Sequence, residues 1–251
     1  MISLNNKKEI LRYVEQIKLN KFNFDGQQKI KSSKVAIIGL GGLGCAASIY
    51  LVAAGIGEVT LIDFDTVILS NLQRQILHHD LDIDTPKVYS AAEDLSKVNP
   101  HCILNLVNDK LKNQNMSEII IRQQVIIDCT DNIKTREQIN LLCYQYKIPL
   151  VSGAAISMEG HLSVFNWRLD TPCYRCISQF FTRDSLNCIQ QGIMSPIVGI
   201  IGAMQSIETI KLLTDYGTMS KASLLIYDAL NSKFDHIKIN KDLNCQVCSV
   251  R

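Results

Sequence analysis

The chain has 251 residues, enough for one large α/β domain or two small ones. Its 26 Lys and Arg nearly balance 24 Asp and Glu, a formal charge of +2 that marks out no nucleic-acid or membrane surface. Apolar residues make up 47% of the chain, ample for a core. No run of about 18 apolar residues stands out, and the polar start MISLNNKKEILRYVEQIKLN lacks the apolar stretch of a secretory signal. Neither a membrane span nor export is therefore expected, and the chain reads as cytoplasmic. Nine cysteines in that setting point to metal ligands, a nucleophile or core filling rather than a disulfide framework.

In chain order, residues 7–20 carry Ile10, Leu11, Val14 and Ile17 at helical spacing. KVAIIGL (34–40) is a short β-branched run and reads as a buried strand. GGLGCAASIYLVAAG (41–55) is a glycine turn running into an apolar helix, and EVTLIDFD (58–65) is a second strand ending in acids. A helix is predicted over 84–100, with Thr85 as N-cap, Pro86 at the first helical position and Pro100 beyond the end. A strand at 102–107, a helix end and strand at 118–132, a helix at 135–147 and a strand at 148–155 complete the alternation. That alternation predicts an α/β, Rossmann-like, mostly parallel sheet with helices on both faces. After about residue 155 the pattern changes. GHLSVFNW (160–167) and 223–240 read as antiparallel strands, and 196–217 as a long buried helix. The organisation expected is one domain over 1–251. It comprises an N-terminal helical arm (1–30), a nucleotide-binding half (31–155) and a substrate-holding half (156–251).

GLGGLG places Gly39, Gly41, Gly42 and Gly44 between a strand and a helix, the context G-x-G-x-x-G requires. Glycines let the backbone approach a phosphate, and the helix start supplies N–H donors. Asp63, about 20 residues on, suits ribose hydroxyls. NAD is the default ligand of such a loop. Asn71, Arg74 and Gln75 in SNLQRQ, Lys87 at the second position of the predicted helix, and Asp131 after VIIDCTD argue instead for a triphosphate with Mg²⁺.

Cys173 and Cys176 form one C-x-x-C pair, Cys245 and Cys248 another, close to the C-terminal residue. Two such knuckles make a natural tetrahedral Zn²⁺ cage, closed and therefore structural. A redox pair or an Fe–S site are the alternatives. Cys45, Cys102, Cys129 and Cys143 read as core. Cys188 lies in an irregular stretch, either as a plain loop cysteine or as a thiol able to accept an acyl group or to take part in sulfur transfer.

Taken in order, GLGGLGCAAS, LIDFDTVILSNLQRQ, TPK, DCTDN, SGAAISMEGHLSVF, PCYRC and the terminal C-x-x-C resemble the bacterial E1-like adenylating enzymes, the MoeB/ThiF/HesA group, over nearly the whole chain. GCAAS and SGAAISMEG are most similar to the branch that serves molybdopterin synthase. The resemblance implies ATP-dependent adenylation of the C-terminal glycine carboxylate of a ubiquitin-like, MoaD-like sulfur carrier ending in Gly-Gly, for molybdenum cofactor biosynthesis. The same reaction on a ThiS-like carrier of the thiamine pathway is the alternative. It further implies ATP, Mg²⁺ and Zn²⁺, a sulfur donor protein, and a homodimer that binds two carriers as a heterotetramer. By position, Asp63 would hold the ribose and Gly42 would lie against the nucleotide. Asn71, Arg74, Gln75 and Lys87 would line the triphosphate, Asp131 would direct Mg²⁺, and the four paired cysteines would bind zinc. The group's R-Y-x-R-Q pattern, whose second arginine reaches the partner's triphosphate, reads RYVEQ here, with Glu15 in that place. Two other classes stay open. An NAD-dependent oxidoreductase explains the glycine loop but not Arg74, Lys87 or the cysteine pairs. A carrier-binding scaffold without catalysis would follow from Glu15.

Overall fold

The computed structural model describes residues 7–111, 113–167, 171–179, 192–218 and 223–249. Eight strands form one continuous sheet: β1 (Lys34–Ile38), β2 (Glu58–Ile62), β3 (Ile103–Val107), β4 (Val125–Asp128), β5 (Leu150–Ile156), β6 (Glu159–Phe165), β7 (Ser223–Asp228) and β8 (Lys233–Lys238). Their order across the sheet is β3-β2-β1-β4-β5-β6-β7-β8. The pairs from β3 to β5 are all parallel. From β5 onward the pairs are antiparallel. The sheet thus passes without a break through both predicted halves, with β5 as the strand common to them.

The unbroken apolar runs of β1, β2 and β4 follow from burial on two faces. Val35 and Ile37 of β1 point into one core, with Leu51, Leu95, Val198 and Ile201; Ala36 and Ile38 point into the other, with Met116, Ile139 and Leu142. The first core is built from α2 (Asn23–Lys31), α3 (Gly42–Ala54), α4 (Lys87–Val98) and α8 (Ser195–Thr214). The second is built from α5 (Asn113–Ile120), α6 (Ile133–Tyr146) and α7 (Tyr174–Ser178). The first helix, α1 (Lys7–Ile17), is tied to the body by Tyr13, whose hydroxyl accepts from Asn99 Nδ2 at 2.8 Å.

Three local expectations shift. The helix predicted at 84–100 starts at Lys87, because Pro86 has an extended backbone (φ −59°, ψ 134°) and Thr85 makes no cap. Lys87 is therefore the first helical residue and not the second. The strand predicted at 58–65 stops at Ile62, where the Asp63 carboxylate begins to take the backbone amides. Cys102 is only partly buried and lies just before β3.

α8 is long and apolar enough, by length and composition, to cross a membrane, with a mean hydropathy of 1.3 over its best stretch. Its polar residues hid that run in the sequence, and they are engaged within the fold. Ser206 Oγ donates to the Ala47 carbonyl at 3.0 Å, and Gln205 Nε2 donates to the carbonyls of Asp128 at 2.8 Å and Val151 at 3.3 Å.

α3 and α8 approach closely because Gly202 faces α3: a Cβ there would lie 2.4 Å from the Leu43 carbonyl oxygen. Gly202→Ala must push the two helices apart. We expect it to lower stability by about 1–3 kcal/mol, measured as an earlier urea midpoint with unchanged slope.

Candidate functional site

The strand order reverses between β2 and β4 on either side of β1, which opens a crevice beyond the carboxyl ends of these strands. A cleft of about 880 Å³ lies there. Its lining includes Gly39, Gly41, Gly42, Asp63, Asn71, Arg74, Gln75, Lys87 and Asp131, so every residue that the sequence proposes for nucleotide or catalysis falls in one place.

The glycine loop is shaped by close backbone contact. Gly39 has φ +94°, and a Cβ there would meet the Cys129 carbonyl oxygen at 2.8 Å. A Cβ on Gly44 would lie 1.9 Å from Gly39 O, so α3 can begin where it does only without one. Gly41, the N-cap of α3, is different: only Gln75 Nε2, at 3.9 Å, comes near its Cβ position. The backbone at Gly41 is open to the cleft, the room a phosphate needs beside a helix N-terminus.

Asp63 braces this loop. One carboxylate oxygen accepts from Leu40 N at 2.7 Å and the other from Asp65 N at 2.9 Å. Each oxygen keeps acceptor capacity for a hydroxyl. Lys87 is 5% exposed; its Nζ pairs with Asp65 Oδ2 at 3.0 Å. Arg74 is held from behind, with Nη1 donating to Ser70 O at 3.0 Å. Gln75 is buried, and its Oε1 has no hydrogen-bond partner among the described residues. Asp131 is exposed at the opposite wall, immediately before Asn132, whose Oδ1 accepts from Thr135 N at 2.9 Å and caps α6. Two cations, a polar amide and a helix start thus face an acidic wall, a donor set that fits a nucleotide with its phosphates and a divalent ion.

Several lining residues went unread in the sequence. Arg136 donates through Nε to Thr130 O at 3.1 Å, and Lys110 lies over the Phe64 ring at 5.4 Å from its centroid. Asn132 carried a legible signal, an Asx residue just before a helical run. Arg136, Lys110 and Phe64 carried none. Arg12 donates to Val98 O at 3.1 Å, and exposed Glu15 pairs with Lys18 at 2.6 Å. None of these three lines the cleft.

Cys173, Cys176, Cys245 and Cys248 converge in a second, buried cluster, with all four sulfurs within 4.8 Å of one another. Cys173 and Cys245 lie 3.7 Å apart and Cys176 and Cys248 3.5 Å, far beyond a disulfide bond. Sulfurs at about 2.3 Å from a central tetrahedral ion would be separated by about 3.8 Å, close to these spacings. A hydrogen bond with Cys173 favours the Cys176 thiolate and brings its pKa down to about 5, while Cys173 moves up. Tyr144 donates to the Cys248 carbonyl at 3.2 Å, and the edge of its ring packs on Trp167. Asn140 Oδ1 accepts from Tyr174 N at 2.9 Å, next to the first cysteine pair. Cys45, Cys129 and Cys143 are buried, as expected, with thiol pKa values raised by burial. Cys188 lies outside the described residues.

A doubly wound α/β fold, a glycine-loop cleft at its switch point and a four-cysteine cluster define the class. The ThiF family profile matches residues 13–248, and the chain belongs to that family. It is 48% identical over 240 residues to the molybdopterin-synthase adenylyltransferase of Escherichia coli strain K12, with 96% of each chain covered. Identity to the molybdopterin-synthase adenylyltransferase of Salmonella typhimurium is 47% over 240 residues, again covering 96% of each. Among solved structures, E. coli MccB with ATP aligns with a TM-score of 0.84 over 97% of this chain and 75% of that one. At 21% identity that likeness is one of fold.

The two loop glycines should respond differently to a methyl group. On Gly42 a Cβ would lie 2.4 Å from Val198 Cγ2 and 3.1 Å from Arg74 O, whereas on Gly41 it would make one ordinary contact, with Gln75 Nε2 at 3.9 Å. Gly42→Ala is expected to lower stability by about 1–3 kcal/mol, and Gly41→Ala by less than about 1 kcal/mol, compared in parallel urea titrations.

Proposed function

We propose that this chain is an ATP-dependent adenylyltransferase. It activates the C-terminal carboxylate of a ubiquitin-like sulfur carrier of the molybdopterin-synthase type, for molybdenum cofactor biosynthesis. The observation that carries the reading is the meeting of all nine proposed ligand residues in one cleft. Near-full-length identity to enzymes named molybdopterin-synthase adenylyltransferase supplies the reaction and the branch.

The chemistry asks little of acids and bases. A chain-terminal carboxyl ionises near about 3.5, so it is already a nucleophile at neutral pH. Its oxygen bonds to the α-phosphorus as the bond to the bridging oxygen breaks, and that electron pair leaves with pyrophosphate. Charge is what must be managed. Asp63 positions the ribose, and the α3 N-terminus with Gly39, Gly41 and Gly42 cradles phosphate. Asn71, Arg74, Gln75 and Lys87 hold the triphosphate. Lys87 is drawn from Asp65 to phosphate when the nucleotide enters. Asp131 would hold Mg²⁺, which would screen the triphosphate charge.

The half from 156 to 251 receives the carrier. Its face presents Phe234, stacked on Tyr227 with ring centroids 4.4 Å apart, with exposed Leu230 in the turn between β7 and β8. The homodimer reading is supported by Ile68, Leu69, Ile76 and Leu81, left exposed between β2 and α4, Leu81 at 98%. With a carrier on each subunit the assembly is a heterotetramer. Glu15 pairs with Lys18, and Arg12, Lys18 or Lys21 would take over the role of the replaced arginine toward a partner's phosphates. Zinc in the four-cysteine cage is structural, and a reduced cage suits the cytoplasm.

Pyrophosphate exchange into ATP tests the activity. It should require Mg²⁺ and a molybdopterin-type carrier, and fall at least about 100-fold in Arg74→Ala and in Lys87→Ala. Exchange with a thiamine-type carrier alone would move the chain to that branch, and exchange with neither would sink the proposal. Metal analysis should return one zinc per chain. Chelation should release the C-terminal segment to proteolysis while the glycine-loop cleft still binds ATP.

A further inference from the structure

Behind the glycine loop lies a buried polar cluster that the adenylation chemistry leaves unused. His78 is 3% exposed and belongs to no sequence motif read above. Its Nδ1 lies 2.7 Å from Ser90 Oγ and its Nε2 3.2 Å from the Leu40 carbonyl oxygen. Ser90 sits on α4 three residues after Lys87, and its Oγ is also 2.9 Å from Asp82 Oδ2. Cys45 adds a weak donor to the same carbonyl, with Sγ 3.4 Å from Leu40 O.

The proton arrangement follows from the partners. A carbonyl can only accept, so Nε2 carries the hydrogen and donates to Leu40 O. Nδ1 is then the acceptor for the Ser90 hydroxyl, whose single hydrogen is drawn to Nδ1 at 2.7 Å in competition with Asp82 Oδ2 at 2.9 Å. Burial disfavours the imidazolium and keeps the ring neutral. On the other side of the same residue, Leu40 N donates to Asp63 Oδ2. Leu40 is therefore gripped at both its backbone groups.

The carbonyl of Leu40 belongs to the peptide it shares with Gly41. No described peptide bond is cis, so C=O and N–H of that unit point in opposite directions. With the carbonyl turned inward to His78, the Gly41 N–H is turned outward to the cleft. Sterics do not enforce this orientation. Gly41 has no side chain and its Cβ position is open, so the peptide can rotate at little torsional cost. Rotated, it would present a carbonyl oxygen to an incoming phosphate.

We infer that His78 is a positioning residue for the nucleotide: its Nε2–H holds the Leu40 carbonyl and thereby aims the Gly41 N–H at the phosphates. The inference rests on the nucleotide reading of the cleft proposed above and adds a residue that does not touch the ligand.

The experiment has a ligand-free arm and a binding arm. In ¹⁵N spectra of the free protein, His78 should be the neutral Nε2–H tautomer; an Nδ1–H tautomer overturns the inference. Calorimetry then compares ATP·Mg²⁺ with adenosine, which lacks the phosphates. His78→Leu should weaken ATP about 10-fold, the scale of one hydrogen bond, and leave adenosine unchanged. His78→Gln, which restores an N–H at the Nε2 position, should recover most of the loss. Ser90→Ala, which frees the tautomer but also removes the contacts to Asp82 and the Leu77 carbonyl, should fall between for ATP with adenosine unchanged, and keeps the test alive should His78→Leu fail to fold. Equal losses for ATP and adenosine, or no loss for ATP, overturn the inference. A wild type that binds neither ligand overturns the nucleotide reading and this inference with it.

Discussion

The cleft depends on backbone lying where side chains would otherwise be. Gly39 O fills the place of a Cβ on Gly44, and Leu43 O fills that of a Cβ on Gly202. Together these contacts bring the start of α3 onto the end of β1 and press α8 along α3. The N–H groups of the first turn of α3 have no intrahelical acceptor. Close packing sets them beside the crevice at the switch point rather than out in solvent. Any longer side chain at these positions would move the helix start by ångströms, and hydrogen bonds to phosphate tolerate far less.

The charges around the loop are arranged so that none is left alone in low dielectric. Asp128, almost fully buried, accepts from Thr130 N at 3.0 Å, Thr130 Oγ1 at 2.7 Å and Ser152 Oγ at 2.9 Å. Lys87, equally buried, faces half-exposed Asp65. The two differ in purpose. Asp128 has its oxygens occupied and serves as a fixed brace under the loop that carries Asp131. Lys87 has one solvent-facing partner, which an anion can replace at small cost because an exposed carboxylate is readily rehydrated. A buried cation with an exchangeable counter-charge is suited to meeting phosphate.

Much of this was legible because its signals are local. Gly39 to Gly44 sit between a β-branched run and an apolar helix, and Asp63 closes the next strand at the spacing a ribose requires. The two C-x-x-C pairs announce a cage without any knowledge of the fold. What could not be read depends on partners distant in sequence. Arg136 and Lys110 look like ordinary surface charges until β4 and β3 carry them to one rim. His78 is one of five histidines with no motif, and its use appears only when Ser90 and Leu40 close on it. The one-residue slip at Lys87 has a similar cause. Pro86 has the composition of a first helical residue, but its short bridge to Thr66 keeps it extended.

β5 explains why two chemically different halves occupy one sheet. Its first half pairs parallel with β4, and its whole length pairs antiparallel with β6. Ala155, near its end, lines the cleft, while the strands beyond β6 lead to the exposed aromatic face around Phe234. A peptide tail lying along that face and pointing inward would reach the cleft at the end of β5 without any domain motion. The cysteine cluster belongs to the same logic. It fastens the segment after β8 to the loop that enters α7, and α7 packs on α6, whose capped start borders Asp131. Fixing that distant corner limits how far the outer strands can shift relative to the strands that border the cleft. On the reading proposed above, a nucleotide and a peptide carboxylate approaching from the two sides of β5 would then be presented to each other with the precision that in-line attack on a phosphorus demands.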